Sequence, residues 1–343
     1  MNPKLARILL SALLLCAAPA HAVLVTSELL PYLVNYYDWE QPVAGNPAQE
    51  RDQGPSGTNL NLVNGGAAMR VADGAYALSQ GSIQTQQITP QSNVNNDWKA
   101  GVYSSTGVST LSAFNQAKEI TLMGWFKPTG TNPSLNSETT NPSDFFNAVG
   151  LFGLLQGGTA AQNNGHNVRA LLEIIDVSGT MRLVALGRRL DSGSSQTFAA
   201  SESWTDLLRA NEWTHLAATF NYDTGVMALY RNGEALAGFY TLSGDPWAIN
   251  GGAEPDLTSA TNPGGIKIGG SFPQNSEDRN PFNGRVDDLM SFNRALNAEE
   301  VRGQYQLMIS AVPEPGTLAL LGVALAGLGF GRRRRVGTGS LRT

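Results

Sequence analysis

Residues 212–242 read as three strands joined by two tight turns, and a chain that contains such a meander has few ways to bury it. An apolar run from Glu212 to Phe220, centred on Trp213-Thr214-His215, continues through Asp223-Thr224-Gly225 into a second run, 226–231. Asn232-Gly233 follows, a pair that tolerates the positive φ of a type I′ hairpin turn, and a third strand, 235–242, returns. One face of a meander is apolar and has to be covered by another layer, so an antiparallel two-sheet sandwich is expected, in the all-β class. Segments 120–127, 149–155, 168–175, 181–186, 265–269 and 285–292 have strand composition and length. One helix is predicted: Asn297 followed by Glu300 has capping-box spacing, so a short helix should run from 298 to about 305, at the sandwich edge.

The two ends of the chain carry a different signal. Lys4 and Arg7 precede an apolar stretch, 8–18, closed by Ala20-His21-Ala22; this is the pattern of a secretory signal peptide, with signal peptidase cutting after Ala22 and Sec machinery carrying the remainder. Its removal takes away Cys16, the one cysteine, so no disulfide can staple the mature chain. At the other end stands Val312-Pro313-Glu314-Pro315, then an uncharged apolar run, 316–331, then Arg332, Arg333, Arg334 and Arg335. Two prolines around a glutamate cannot continue a helix or enter a central strand, so that stretch is extended and open to another protein. The sixteen apolar residues make ~24 Å of helix against a ~30 Å hydrocarbon core, a marginal transmembrane helix. The arginines hold its far end on the cytoplasmic side.

This tail closely resembles the PEP-CTERM sorting signal of exopolysaccharide-producing Gram-negative bacteria, in which the three parts come in this order. The resemblance implies that an integral-membrane exosortase recognises Pro313, Glu314 and Pro315 and cuts near them. The exported region would then pass from an inner-membrane-anchored precursor to the cell surface or extracellular matrix. The organisation expected is signal peptide 1–22, globular domain 23–310 and sorting signal 311–343.

Two of the 23 basic residues lie in the leader and five follow residue 311, whereas only Glu314 of the 28 acidic ones lies outside the exported region. That leaves 16 basic against 27 acidic side chains, a net of −11, which argues against nucleic acid and anionic lipid as partners and suits divalent cations and neutral glycans.

Four stretches in order resemble a laminin-G-like domain of the concanavalin A-type jelly-roll superfamily. They are Tyr36-Tyr37-Asp38-Trp39-Glu40 with Asp52-Gln53-Gly54-Pro55-Ser56-Gly57; the strand centred on Trp125; the 213–240 meander; and Phe282-Asn283-Gly284-Arg285-Val286-Asp287-Asp288 through Leu296. The resemblance implies a jelly-roll sandwich. It also implies a structural calcium ion held by Asp52 and Asp287, which carboxylates and loop carbonyls can ligate. Asp287 capping backbone amides is the alternative. Long polar stretches at 79–96, 129–144 and 243–263 read as loops, and Trp98 and Trp247, beside or within them, could each stack on a sugar or plug the core edge.

Catalytic machinery is not visible. Glu173-Ile174-Ile175-Asp176 suggests the single-strand carboxylate motif of one glucanase group, but residues three apart on a strand point to opposite faces, and Ser178 stands where a third carboxylate would be needed. His215 is expected as a packed, hydrogen-bonded strand residue and His166 as a turn residue. The readings that remain are a carbohydrate- or envelope-binding module, a structural matrix protein without a ligand, and, third, a glycoside hydrolase.

Overall fold

Asn232 and Gly233 both adopt positive φ, 51° and 80°, and the strands they join pair Tyr230 with Ala235 and Arg231 with Glu234, the tight hairpin their sequence requires. From this hairpin the fold grows outward. The computed structural model describes residues 23–63, 69–85, 99–104, 106–129, 148–155, 168–190, 195–241, 254, 262–270 and 282–311.

The strands before the meander are β1 (Leu33–Tyr37), β2 (Pro42–Val43), β3 (Asn46–Glu50), β4 (Leu60–Val63), β5 (Arg70–Val71), β6 (Ser82–Thr85), β7 (Lys99–Tyr103), β8 (Glu119–Pro128), β9 (Ala148–Leu155), β10 (Val168–Val177), β11 (Thr180–Arg188) and β12 (Ser195–Ala200). A single helical turn, α1 (Trp204–Leu207), leads into β13 (Thr214–Asn221), β14 (Met227–Arg231), β15 (Glu234–Ala235) and β16 (Gly238–Tyr240). Then come β17 (Gly265–Ile268), β18 (Gly284–Phe292) and α2 (Ala298–Ser310). One sheet has the order β15-β14-β13-β8-β18-β6-β5, with β1 also on β18; the other runs β16-β12-β11-β10-β9-β17-β7-β4-β3-β2. The ladders are antiparallel, as expected for the all-β sandwich.

Alternation decides which side chains enter the space between the sheets. Leu122 and Phe126 of β8, Leu172 and Ile174 of β10, and Leu216 and Phe220 of β13 belong to the central cluster. Burying each such side chain stabilises the fold by roughly 1.5–3 kcal/mol, which a chain without disulfides needs. The opposite face of the first sheet has its own cluster, in which Met123, Trp125, Met290 and Phe292 meet Val301 and Met308 of α2 and Val25 and Leu29 of the N-terminal segment. The outer face of the second sheet carries a smaller one, Leu155, Val168 and Leu171.

Three expectations are corrected. The predicted third strand of the meander divides: β15 pairs with β14, then the chain crosses and β16 pairs with β12 in the other sheet. Leu236 and Tyr240 both pack against the central cluster, and the crossing at the sandwich edge is what turns them inward. The polar stretch 79–96 is not all loop, since β6 lies in it and joins β18 and β5. The terminal helix has the predicted capping box, Asn297 accepting from Glu299 and Glu300 amides while Glu300 accepts from the Asn297 amide, but it runs on to Ser310. No glycine or proline stands between Tyr305 and Pro313, and Met308 is fully buried, so the last turns are held by packing across the sheet face rather than at its edge.

Among the described residues no helix is long and apolar enough to cross a membrane. The predicted membrane helix 316–331 lies outside them, as do the signal peptide with Ala20 and Ala22, the motif Pro313-Glu314-Pro315 and the arginine cluster.

Candidate functional site

Asp52 follows β3 in a loop that doubles back against β1, and it organises that loop. Its Oδ1 accepts from the Tyr36 and Gly54 amides, both at 2.8 Å. Its Oδ2 accepts from Asn35 Nδ2 at 2.8 Å, Ser56 Oγ at 2.6 Å and the Thr58 amide at 3.0 Å. Gly54 is needed at this approach: a Cβ there would stand 2.6 Å from the Val34 carbonyl oxygen. Burial pushes the Asp52 carboxyl up from its ordinary value, and the Ser56, Tyr36, Asn35 and Gly54 donors oppose that push.

From Asp52 a line of hydroxyls leads to the surface. Ser56 Oγ lies 2.7 Å from Thr58 Oγ1, and Thr58 Oγ1 lies 2.7 Å from Thr110 Oγ1. Thr110 sits in the 3₁₀ segment Ser109–Phe114, held down by buried Leu111 and Phe114. Ser56, Thr110 and Ser112 line a cleft of about 270 Å³ together with Leu33, Val34, Pro55 and Ala113. No charged side chain lines it. A neutral cleft that carries ordered hydroxyls among apolar residues can seat a polyhydroxyl ring, hydrogen-bonding its edge and packing its face.

The last strand carries the second predicted aspartate. Val286 and Leu289, three apart, both face the central core because a bulge falls between Asp287 and Met290; Asp288, at φ 44°, takes the extra place. Both aspartates are buried. Asp287 accepts from the Ala75 amide at 2.9 Å, Ser79 Oγ at 2.6 Å and the Asp288 amide at 2.9 Å. Asp288 accepts from the Tyr36 hydroxyl. Burial raises both carboxyls, Asp288 to about 7, and the charge of Asp288 raises Asp287 further.

The two aspartates that the resemblance assigns to calcium each sit among protein donors. They share no hydrogen-bond partner, and each carboxylate is already filled by N–H and O–H donors, which a cation would have to displace. Among the described residues no three His, Cys, Asp or Glu side chains are grouped as metal ligands. What this arrangement of donors does is brace backbone: Asp287 ties the 75–79 segment to β18, as its capping alternative holds, and Asp52 shapes the cleft wall. Trp98 and Trp247 lie outside the described residues.

Glu173 and Asp176 point apart. Glu173 lies on the outer side of β10, opposite Leu172 and Ile174 in the core, and burial alone pushes its carboxyl up to about 8. Asp176 is at the strand end, capping the Gly179 amide of the turn. His215 is packed, its ring 5.3 Å from that of Trp125 and 5.7 Å from that of Tyr305, but it departs from expectation in one respect. Its ring nitrogens make no hydrogen bond; its backbone does, the amide donating to Asn232 Oδ1 and the carbonyl accepting from the Asn232 amide at 2.8 Å. Burial lowers its pKa to about 3, so it is a neutral core ring. His166 lies outside the described residues.

Two arrangements escaped the sequence. Thr110 and Ser112 sit in an unremarkable polar run whose placement beside the Asp52 loop depends on long-range packing. Arg169 and Glu254 form a buried fork, Nη1 to Oε1 and Nη2 to Oε2 both at 2.8 Å, with the guanidinium 3.4 Å over the Tyr222 ring. Glu254 also accepts from the Leu190 amide at 2.8 Å. With its partners 85 positions apart in sequence, this lock leaves no local pattern to read.

Residues 99–302 match the model of the concanavalin A-like lectin/glucanases superfamily, and residues 311–335 match the PEP-CTERM protein-sorting motif. No curated protein matches the chain. Among solved structures, a Trypanosoma rangeli sialidase in complex with 2,3-difluoro-KDN is similar at 13% identity and a TM-score of 0.45, over 81% of this chain and 32% of that one. A botulinum neurotoxin type G receptor-binding domain is similar at 12% identity and a TM-score of 0.46, over 80% of this chain and 51% of that one. The chain thus spans about a third and about half of these proteins. With the sandwich, its terminal helix and the matched stretch in hand, the chain belongs to the concanavalin A-like lectin/glucanases superfamily and ends in a PEP-CTERM protein-sorting motif that marks it for export to the cell envelope and processing by exosortase.

Proposed function

We propose that this is a surface or extracellular-matrix protein of a Gram-negative bacterium whose sandwich binds a neutral, hydroxyl-rich glycan in the cleft of Ser56, Thr110 and Ser112. In this reading Sec machinery exports the chain, signal peptidase cuts after Ala22, the apolar run 316–331 anchors the precursor in the inner membrane, and exosortase cuts near Pro313-Glu314-Pro315. The observation that carries the binding reading is the hydroxyl line from buried Asp52 to the cleft wall. A hydroxyl held at 2.7 Å from its neighbour is oriented before a ligand arrives, so less ordering entropy is lost on binding. Neutrality of the lining agrees with the net charge of −11 in the exported region, which repels anionic ligands.

Binding is favoured over hydrolysis by the placement of Glu173 and Asp176. Retaining glycosidases hold two carboxyls ~5 Å apart on one face, and inverting ones leave room for a water between them, whereas these two project to opposite sides of β10.

The test is a glycan array probed with residues 23–310 and with the Ala113→Trp variant, which fills the cleft from an exposed position. Saturable binding by the parent, reduced at least tenfold in the variant with an unchanged melting temperature, is expected; ~1.4 kcal/mol is all such a loss requires. A blank array from folded protein would leave the structural-matrix reading. Turnover of β-glucan, lost in Glu173→Gln, would restore the hydrolase.

A further inference from the structure

Gln304, fully buried in α2, holds the start of the mature chain. Its Oε1 accepts from the Thr26 amide at 3.0 Å and its Nε2 donates to the Leu24 carbonyl at 2.8 Å. A side-chain amide that reads main-chain N–H and C=O together acts as one more strand partner, so residues 23–32 form a strap laid along α2. Val25 and Leu29 pack beneath the strap with Val301 and Met308.

The same layer is where the other end of the chain departs. From Gln304 to Ser310 is ~9 Å of helix. Ala311, at φ −65° and ψ 111°, is already extended, and the five peptide steps from it to Gly316 reach at most ~18 Å. Pro313 and Pro315 cannot shorten that path by continuing the helix. Both processing points, after Ala22 and near Glu314, therefore leave the domain from one layer on one face of the sandwich. That layer also exposes two of the large apolar side chains that reach solvent among the described residues, Leu30 and Ile309, each 47% exposed.

Resting on the reading that 316–331 enters the bilayer, we propose that the strap and α2 are the membrane-facing surface of the uncut precursor, with Leu30 and Ile309 against the lipid interface. The short tether leaves the domain little freedom to turn another face toward the membrane. Its opposite face, the outer side of the second sheet, then points away, and exosortase meets its motif in the narrow gap between α2 and the bilayer.

The mature chain from Val23 to Thr343 contains no cysteine, so single-cysteine variants label at one position only. Leu30→Cys, Ile309→Cys and, on the outer face of the second sheet, Phe239→Cys are each coupled to a polarity-sensitive dye and reconstituted in phosphatidylethanolamine–phosphatidylglycerol vesicles. Flotation with the vesicles tests the anchoring reading separately; a chain that stays at the bottom of the gradient ends both ideas. In floating protein, labels at 30 and 309 should brighten and shift to the blue relative to the same variants truncated after residue 311, while the label at 239 should not. Adding Gln304→Ala should release the strap, so that the label at 30 loses its shift and the label at 309 keeps it. No shift at 30 and 309, or an equal shift at 239, overturns the proposal. So does a shift seen only in membranes that contain exosortase, which would assign the surface to a protein.

Discussion

Glu173 illustrates what a single side chain does to this molecule. It is 4% exposed on β10, and no ionic or hydrogen-bonding partner among the described residues offsets its burial, so its carboxyl rises to about 8. Glu50 and Asp288 are raised in the same sense, each to about 7. Because these folded-state values lie above the unfolded ones, the folded chain holds protons that the unfolded chain has lost. Stability from these groups is complete below about pH 4 and falls as pH rises through 7 to 8. His215 opposes this with the other sign: lowered to about 3, it favours the unfolded chain in acid and ceases to do so above its ordinary value of 6.5. Glu173→Gln should leave urea stability unchanged at about pH 4 and raise it at about pH 9, by an amount on the order of a few kcal/mol. A variant as pH-sensitive as the parent would mean that Glu173 has a partner when ionised.

At the scale of elements, the motifs with a local cause were legible and those with a distant cause were not. The Asn232-Gly233 turn and the Asn297–Glu300 capping box rest on the φ/ψ and hydrogen bonds of a few consecutive residues, and both stand where the sequence puts them. Asn297→Ala removes an acceptor for two amides at the start of α2 and should cost about 1 kcal/mol in denaturant melts, with the strap loosened in hydrogen exchange. Unchanged protection at Leu24 and Thr26 would separate the cap from the strap. The length of α2 has no local signature because its last turns answer to Met308 and to the sheet beneath. The division of the meander's third strand is hidden for the same reason, since the burial of Leu236 and Tyr240 lies across the sandwich rather than along the strand.

For the whole molecule, the sorting motif and the fold make separate demands that meet at α2. Replacing Pro313 and Pro315 together by alanine should let α2 continue toward the membrane and leave uncut precursor in inner-membrane fractions, read on a blot as loss of the processed band. Normal processing would show that the extended motif is not what is recognised. The domain itself should fold unchanged, because its described core ends before these residues. What could be read from residues in order was the sorting motif, the all-β class, most strand positions and the superfamily, since each depends on neighbours in sequence or on period-2 alternation. What needed the assembled molecule was the pairing of distant groups: the Asp52 hydroxyl line reaching Thr110, the Arg169–Glu254 fork, the Gln304 grip on Leu24 and Thr26, and the protein donors gathered around Asp52 and Asp287. A carboxylate in a loop has the same letter whether it meets a cation or an amide; which one it meets is settled by what the fold brings within 3 Å of it.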